Sequence, residues 1–533
     1  MQNPAASKLR TYTPRERNFY LAGMFGQNIM YSIIGIYASY YIRNVLFIPA
    51  AIVGVVLVIA EIWDAINDPI MGTIVDRTHT KLGKCRPYLM WAPGLVFLTT
   101  MLLFMGAKYE FGANVSMWKN VGVVAWAFGF YLCWDLAYTV GDIPLWGITA
   151  LMTEDEKHRQ KLQALARIVG GFGSGVAILA FQPISVAVGQ SMGSERSGFI
   201  LVALVYSVVG CALFQLVGIF TREKFHPPPT GNSVGMNFKM AWQNKPFRQI
   251  LVSGVLASPR NLTMLIAFDM VTFYFAGKDP GKILYYIALI GGGLFVGMFT
   301  ASALTPKLLE YTTKKKLYNT VNLVDVVPNV LIFALYLISL NVRGGLTNVA
   351  LLIPTMILFA VKGVALGIFS VLQTNMAADA VDYEDYVNHR RPDGVFFSGM
   401  TFLAKINTGI STLIYAFLSA IVGFSGLNIE MLQSMADSGS APRELMRRGS
   451  EAVVYHYSNT NYAGGLVTGS LTGGQLFNFF TMMFFAVTII PAVASVLAVI
   501  PTWKYALTPE KLDEILVALQ ERRRVEGELA EEE

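Results

Sequence analysis

Apolar segments of about 20 residues or more recur from one end of this chain to the other. Backbone amides cannot stay unpaired in a bilayer, so segments of this length are expected to cross it as helices. Hydrophobic residues make up 54% of the 533 positions and charged residues only 14%, and the mean hydropathy is +0.49. This balance argues against a soluble globular protein and predicts an all-α membrane protein.

Twelve membrane-spanning helices are predicted. They lie at roughly 17–46, 51–76, 88–107, 120–151, 163–190, 197–221, 247–276, 282–305, 316–340, 348–376, 394–425 and 472–504. Basic residues concentrate in the N-terminal segment and in every second loop, which by the positive-inside rule places both termini in the cytoplasm. The net charge of +6 therefore indicates topology rather than nucleic-acid binding.

The longest central break between spans, 222–246, contains three consecutive prolines and is interpreted as a cytoplasmic linker. It separates an N-terminal six-helix bundle, 1–221, from a C-terminal six-helix bundle, 247–504. A long exterior loop at 426–471 is either a partly ordered cap or solvated chain, and 505–533 is predicted to form a cytoplasmic tail helix. Two facing six-helix halves resemble the major facilitator fold, whose binding site lies at the interface of the halves.

Two aspartates, Asp64 and Asp68, stand one helical turn apart inside the second apolar segment. Each costs about 2.5–3.5 kcal/mol at the centre of a bilayer, and their mutual repulsion is on the order of 2–3 kcal/mol. Lys405 in the eleventh span can neutralise one of them. A single Na+ or H+ would neutralise the remaining negative charge, and the alternative is a static ion pair between helices.

Span four carries a third acid, Asp142, with Trp146 one helical turn later. An acid beside a large aromatic ring suits a sugar, since it can accept from two hydroxyls while the ring covers an apolar face. Arg167 is either a residue of the bilayer boundary or part of the site. Arg260 is either directed at a carboxylate or sulfonate in a cavity, or paired with Asp269 or another helix.

Charged residues on the cytoplasmic side form a further candidate group. Four acids, Asp379, Asp382, Glu384 and Asp385, end span ten and face basic cytoplasmic loops. Exchangeable salt bridges of this kind are typical of a gate. The predicted cytoplasmic gate consists of Asp76, Arg77, Lys84, Arg86, Asp379 and Asp382.

At these residues the sequence resembles the glycoside-pentoside-hexuronide:cation symporters of the major facilitator superfamily. The motifs that carry the resemblance are Trp63-Asp64-Ala-Ile-Asn67-Asp68-Pro69, Asp76-Arg77 with Gly83-Lys84 and Pro87, Asp142-Ile-Pro144 with Trp146, and Ala378-Asp379 with Asp382-Tyr383. The resemblance extends over nearly the whole chain except the loop at 426–471.

The resemblance implies two adjacent sites. The implied cation site contains Asp64, Asn67, Asp68 and Thr139 with Lys405 beside it, and its amide and hydroxyl favour Na+ over H+. The implied sugar site contains Tyr138, Asp142, Trp146, Arg167 and Thr401, and the full predicted substrate-binding set adds Asn28, Arg260 and Lys405.

The chain also departs from the pattern of the family. Gln27 and Asn28 stand where galactoside-binding members have a lysine and an aspartate, and Ser370 replaces a tryptophan. The resulting loss of one acid leaves an acidic sugar such as a uronide, or a neutral pentoside or oligosaccharide, as candidates.

These observations together predict a Na+-coupled secondary transporter of a sugar or glycoside that works by alternating access. H+-coupled symport of a glycoside or uronide and a lipid or lysophospholipid carrier are the alternatives. An aspartyl protease would need its two acids on facing helices, so no enzyme and no cofactor beyond the coupling ion are expected. We expect a monomer in the bacterial inner membrane with sugar, monovalent cation and lipid as its partners.

Overall fold

The first half of the chain folds into six long helices. The computed structural model describes residues 11–78, 80–110, 116–153, 156–224, 242–276, 279–388, 393–422, 455–459 and 467–532. The six helices are α1 (Pro14–Tyr40), α2 (Ala50–Arg77), α3 (Arg86–Phe104), α4 (Met117–Met152), α5 (Glu156–Ser191) and α6 (Glu195–Phe220). A π-helical turn at Tyr41–Val45 continues α1 to its end.

The start of α1 shows how local sequence fixes a helix boundary. The Thr13 hydroxyl accepts from the Glu16 amide, the Glu16 carboxylate accepts from the Thr13 amide, and Pro14 takes the first helical position. These contacts satisfy amides that would otherwise lack partners at the helix start.

Most helices of the second half are shorter, and several are interrupted by 3-10 and π-helical segments. They are α7 (Lys245–Leu256), α8 (Leu262–Asp269), α9 (Pro280–Tyr286), α10 (Gly292–Leu308), α11 (Lys314–Val324), α12 (Val326–Ser339), α13 (Val349–Asn388), α14 (Asp393–Ile421), α15 (Gly473–Val487) and α16 (Ile489–Trp503). Short 3-10 segments lie at Ser258–Asn261 and Gly345–Thr347, and π-helical turns at Met270–Ala276 and Ile287–Gly291. Beyond α16, α17 (Pro509–Glu532) occupies the predicted tail.

The long loop predicted at 426–471 is described only in part. Two short strands, β1 (Tyr455–Asn459) and β2 (Val467–Leu471), pair antiparallel there, with Tyr455 opposite Leu471. The rest of that loop, and most of the predicted linker, lie outside the described residues.

The length and hydropathy of the helices agree with the predicted fold class. Among the described residues, nine helical stretches are long and apolar enough to cross a bilayer, and α7 with the segment Ser258–Ala276, bent by 44°, makes a tenth. The all-α membrane fold is therefore confirmed. The helices α1 and α2 are the other two predicted spans, and the total of twelve stays a prediction.

Close helix packing in the second half depends on glycine. A Cβ atom on Gly297 of α10 would lie 2.1 Å from the carbonyl oxygen of Ala360 on α13, and one on Gly363 would lie 2.0 Å from that of Leu294. No real side chain fits at such distances. Small residues thus let α10 and α13 touch backbone to backbone, as membrane helices commonly do.

The two halves meet mainly along α2 and α14. We call the end of the molecule that holds the start of α1 and the tail helix α17 the termini end. The end that holds the π-helical turn after α1 is the opposite end. At the termini end, Arg522 of α17 forms an ion pair of 3.2 Å with Asp385 of α13.

Candidate functional site

The two aspartates of α2 share one lysine from the other half of the molecule. The Lys405 ammonium on α14 lies 2.6 Å from Asp64 Oδ2 and also donates to Asp68 Oδ2. Side-chain exposure is 18% for Asp64, 28% for Asp68 and 16% for Lys405. The group is therefore partly exposed and lies where the two halves meet.

The Thr139 hydroxyl of α4 contacts both carboxylates. The Thr139 hydroxyl lies 3.3 Å from Asp64 Oδ1 and 3.4 Å from Asp68 Oδ1. Asn67 is buried beside them, and its Nδ2 has no hydrogen-bond partner among the described residues. Two carboxylates and one ammonium leave a formal charge of −1. Carboxylate and hydroxyl oxygens around one negative charge are suited to a small hard cation.

The third acid, Asp142, lies on α4 near a glutamine of α1. Gln27 Nε2 donates to Asp142 Oδ1 at 2.6 Å and also bonds to the Tyr138 hydroxyl. The Tyr138 ring stacks on Trp134, with centroids 4.9 Å apart. Trp146 is half-buried one helical turn beyond Asp142. An acid, an amide and aromatic rings are thus collected beside the aspartate pair.

Asn28 extends this polar group toward α5. Its Nδ2 donates to Gln27 Oε1 at 2.6 Å, and Ser174 donates to its Oδ1 at 3.4 Å. Gln27 is therefore held in place on one side by Asn28 and on the other by Asp142. In the sequence analysis, Gln27 stood out only as a departure from the pattern of the family. Its contact with Asp142 was not predicted.

For three further predicted residues the structure describes no contact with this site. Arg167 on α5 is exposed, and within the described part of the chain it forms no ion pair. The side chains of Thr401 and Asp76 lie outside what the structure describes.

The structure does not bring Arg260 into contact with this group. Its guanidinium donates to Ser495 at 2.8 and 2.9 Å and lies 3.7 Å from Asp325 Oδ2, and it stacks 4.5 Å over the Phe369 ring. Of the two pairings considered for Arg260, the one with another helix is confirmed, and the one with Asp269 is wrong because that acid pairs with Arg43. Arg260 is 5% exposed and is held inside the second half. Its predicted role in substrate binding has no support in these contacts.

A buried lysine of the second half was missed by the sequence analysis. Lys362 on α13 is fully buried and donates to Asn329 Oδ1 at 2.8 Å and to the Val487 carbonyl at 2.7 Å. A lysine inside the apolar segment 348–376 was the available signal. Its contacts join three helices of one half, which is typical of a structural role.

The predicted gate residues with described contacts bond inside their own halves. Asp379 pairs with Lys314 at 2.6 Å within the second half. Arg86 Nε donates to the Gly218 carbonyl at 3.1 Å within the first half, and Glu223 accepts from the Lys84 amide at 2.8 Å. Among the described residues, Arg86 and Asp379 thus make no salt bridge between the halves.

A buried ion pair between the halves at the opposite end was also missed by the sequence analysis. Arg43 Nη1 donates to Asp269 Oδ2 at 2.8 Å, and both side chains are almost fully buried. Asn44 donates to Asp269 Oδ1 at 2.7 Å, and the Tyr415 hydroxyl donates to Oδ2 at 2.6 Å. Arg43 lies within the predicted span 17–46, and a charged residue inside an apolar segment was the available signal.

Sequence comparison agrees with the class of protein that the helices and this site define, a membrane transporter. Residues 19–441 match the family described as MFS/sugar transport protein, and the chain belongs to that family. This confirms the resemblance inferred from the motifs of spans two and four. The chain is a transporter and not an enzyme.

Two relatives and one solved structure illustrate the relationship. The chain is 25% identical to the isoprimeverose transporter of Lactiplantibacillus pentosus over 425 residues, which is 79% of this chain and 83% of the relative. It is 24% identical to the inner membrane symporter YicJ of Escherichia coli (strain K12) over 427 residues, 78% and 85% of the two chains. A bacterial homologue of the human lysosomal transporter Spinster shares the fold with a TM-score of 0.60 at 13% identity, covering 93% of this chain and 100% of that one.

Proposed function

We propose that this protein is a Na+-coupled symporter of a sugar or glycoside that works by alternating access. The observation that carries the proposal is the group of Asp64, Asp68 and Lys405, which joins the two halves and lies near Asp142. The names of the relatives, an isoprimeverose transporter and an inner membrane symporter, support the class of cargo and the coupling.

The charge at the aspartate pair supports a monovalent cation. One positive charge brings the formal sum of Asp64, Asp68 and Lys405 from −1 to zero. The Thr139 hydroxyl, 3.3 Å from Asp64 Oδ1, is an available further ligand for a metal ion. Such a ligand is useful to Na+ and adds little for a proton, so we favour Na+.

The contacts of Asp142 support a polyhydroxylated substrate. In this structure Gln27 donates a hydrogen bond to one carboxylate oxygen of Asp142. Sugar hydroxyls can replace Gln27 as donors to that oxygen, while the Trp146 ring covers an apolar face of the sugar. Because Arg260 is engaged by Asp325, only Arg167 of the two predicted arginines remains to receive a carboxylate. A neutral sugar therefore has more support than a uronide.

The proposed orientation follows from the distribution of basic loops. The termini end faces the cytoplasm of a bacterial inner membrane, and the opposite end faces the exterior. A membrane potential of 100 mV then contributes about 2.3 kcal/mol for each positive charge that enters with the sugar. This is enough for tens-fold accumulation of the substrate.

The deciding experiment is uptake of radiolabelled glycosides and uronides into energised vesicles, with and without Na+ at fixed pH. We expect at least one neutral glycoside to accumulate only when Na+ is present. Accumulation that ignores Na+ and collapses with a protonophore would instead establish H+ coupling. Failure of every sugar and uronide would contradict the proposed cargo.

One observation favours a second candidate function, that of a lipid carrier. An apolar cavity of about 250 Å³ lies between the halves, lined by Ile36 and Ile178 from the first and by Phe268, Phe295 and other residues from the second. It contains none of the predicted sugar-site residues, and typical pockets for small ligands measure about 300–1,000 Å³. Binding of a lysophospholipid in preference to all sugars would favour this alternative.

A further inference from the structure

The Asp269 carboxylate is enclosed by donors from both halves of the molecule. Arg43 and Asn44 reach it from the first half, and Tyr415 reaches it from α14 of the second. The side chains of Arg43 and Asp269 are only 4% and 2% exposed. Because such a buried charge is costly unless it is paired, separation of the halves here requires water or another donor to replace Arg43.

Further contacts join the two halves beside the ion pair of Arg43 and Asp269, and we call this region the junction. Gln182 of α5 donates to the Thr272 hydroxyl at 2.8 Å, and both residues are fully buried. The rings of Tyr37 and Phe268 lie 4.7 Å apart. The junction at the opposite end is therefore dry and packed around its ion pair.

The backbone at this junction departs from α-helix on both sides. Arg43 and Asn44 lie within the π-helical turn Tyr41–Val45, and Asp269 immediately precedes the π-helical turn Met270–Ala276. Such turns are uncommon and are frequent at functional sites. Both charged side chains therefore lie in or directly beside a π-helical turn at the contact between the halves.

At the termini end, Arg86 and Asp379 bond within their own halves. We propose that Arg43, Asn44 and Tyr415 together with Asp269 form the exterior gate of the transporter. These contacts break when the molecule opens to the exterior, and their strength sets the ratio of inward-open to outward-open molecules. The proposal rests on the alternating-access part of the proposed function.

The test measures the separation of the halves without any cargo. Spin labels are placed at Met192→Cys and Tyr285→Cys, two exposed positions at the opposite end, in a background without Cys85, Cys133 and Cys211. Distances are measured by double electron-electron resonance on protein in nanodiscs.

We expect the parent protein to show mainly the short distance. Asp269→Asn should raise the ratio of long to short distances at least tenfold. The charge-reversed pair Arg43→Asp with Asp269→Arg should move the ratio back toward the parent value.

A matched control uses another arginine of the same end. Arg196 donates to the Gly106 carbonyl at 2.8 Å within the first half, so Arg196→Gln should leave the distances unchanged. If Asp269→Asn does not fold, Tyr415→Phe removes one donor and must shift the ratio in the same direction.

An unchanged distance distribution in a folded Asp269→Asn or Tyr415→Phe variant overturns the gate. Since the measurement contains no sugar and no coupling ion, a shift in these variants supports the gate even if every uptake assay fails. If uptake fails while the distance ratio of these variants still shifts, only the proposed cargo and coupling are contradicted.

Discussion

Replacing Asp64 by asparagine tests the charge balance of the cation site. The substitution preserves the shape of the side chain and changes the formal sum of Asp64, Asp68 and Lys405 from −1 to zero. Lys405, which now lies 2.6 Å from Asp64 Oδ2, can then pair with Asp68 alone. A cation would enter a site that is already neutral.

The expected loss follows from Coulomb's law. A cation about 4 Å from the lost charge forfeits roughly 4 kcal/mol at an effective dielectric constant near 20. Because Asp64 is 18% exposed, solvent screening reduces this to about 2 kcal/mol. Na+ binding should therefore weaken roughly 30-fold.

Isothermal titration calorimetry of the purified protein with NaCl, at constant ionic strength kept with choline chloride, measures this affinity. Asp142→Asn serves as the control, because its carboxylate contacts Gln27 rather than Lys405. A Na+ dissociation constant of Asp64→Asn within threefold of the parent value would refute the proposed charge balance.

Three further predictions concern the sugar, the helix packing and acid stability. Trp146→Ala should weaken sugar binding by about 2 kcal/mol, or roughly 30-fold, while calorimetry shows unchanged Na+ binding; equal losses of both would contradict separate sites. Gly363→Ala places a Cβ 2.0 Å from a carbonyl oxygen and should cost about 1–3 kcal/mol in thermal unfolding, whereas Gly292→Ala meets open space and should be neutral. Burial alone would raise the pKa of Glu16, but its bond with Lys224 and its bonds with the residue before α1 lower that pKa below 4.5. Its stabilising effect is therefore present above pH 4.5 and lost as the pH falls through the lowered pKa, so Glu16→Gln should reduce the melting temperature at pH 7 but not once the pH lies below that lowered pKa.

The sequence could predict the pairing of Asp64, Asp68 and Lys405 because charge inside an apolar segment has few solutions. Two acids one turn apart must share a face, and a lysine at the middle of another span is an available counter-charge. The structure brings these three together. The helical class could be predicted for the same kind of reason, since the bilayer allows few alternatives.

The partners of Arg260 and Asp269 could not be predicted. Both lie in one predicted span, but Arg260 falls within the 3-10 break at Ser258–Asn261 and Asp269 directly precedes a π-helical turn. Arg260 meets Asp325 of the same half, whereas Asp269 meets Arg43 of the other half. Sequence spacing alone carries no information on such rotations or on π-helical turns.

The single ammonium shared by two acids has a consequence for voltage dependence. If the coupling ion is monovalent, the loaded carrier has a neutral site and the empty carrier keeps a formal charge of −1. The membrane potential then exerts its force on the unloaded return step rather than on cargo translocation. Hyperpolarisation should accelerate the recycling of empty transporters and leave exchange of sugar between two loaded states unaffected.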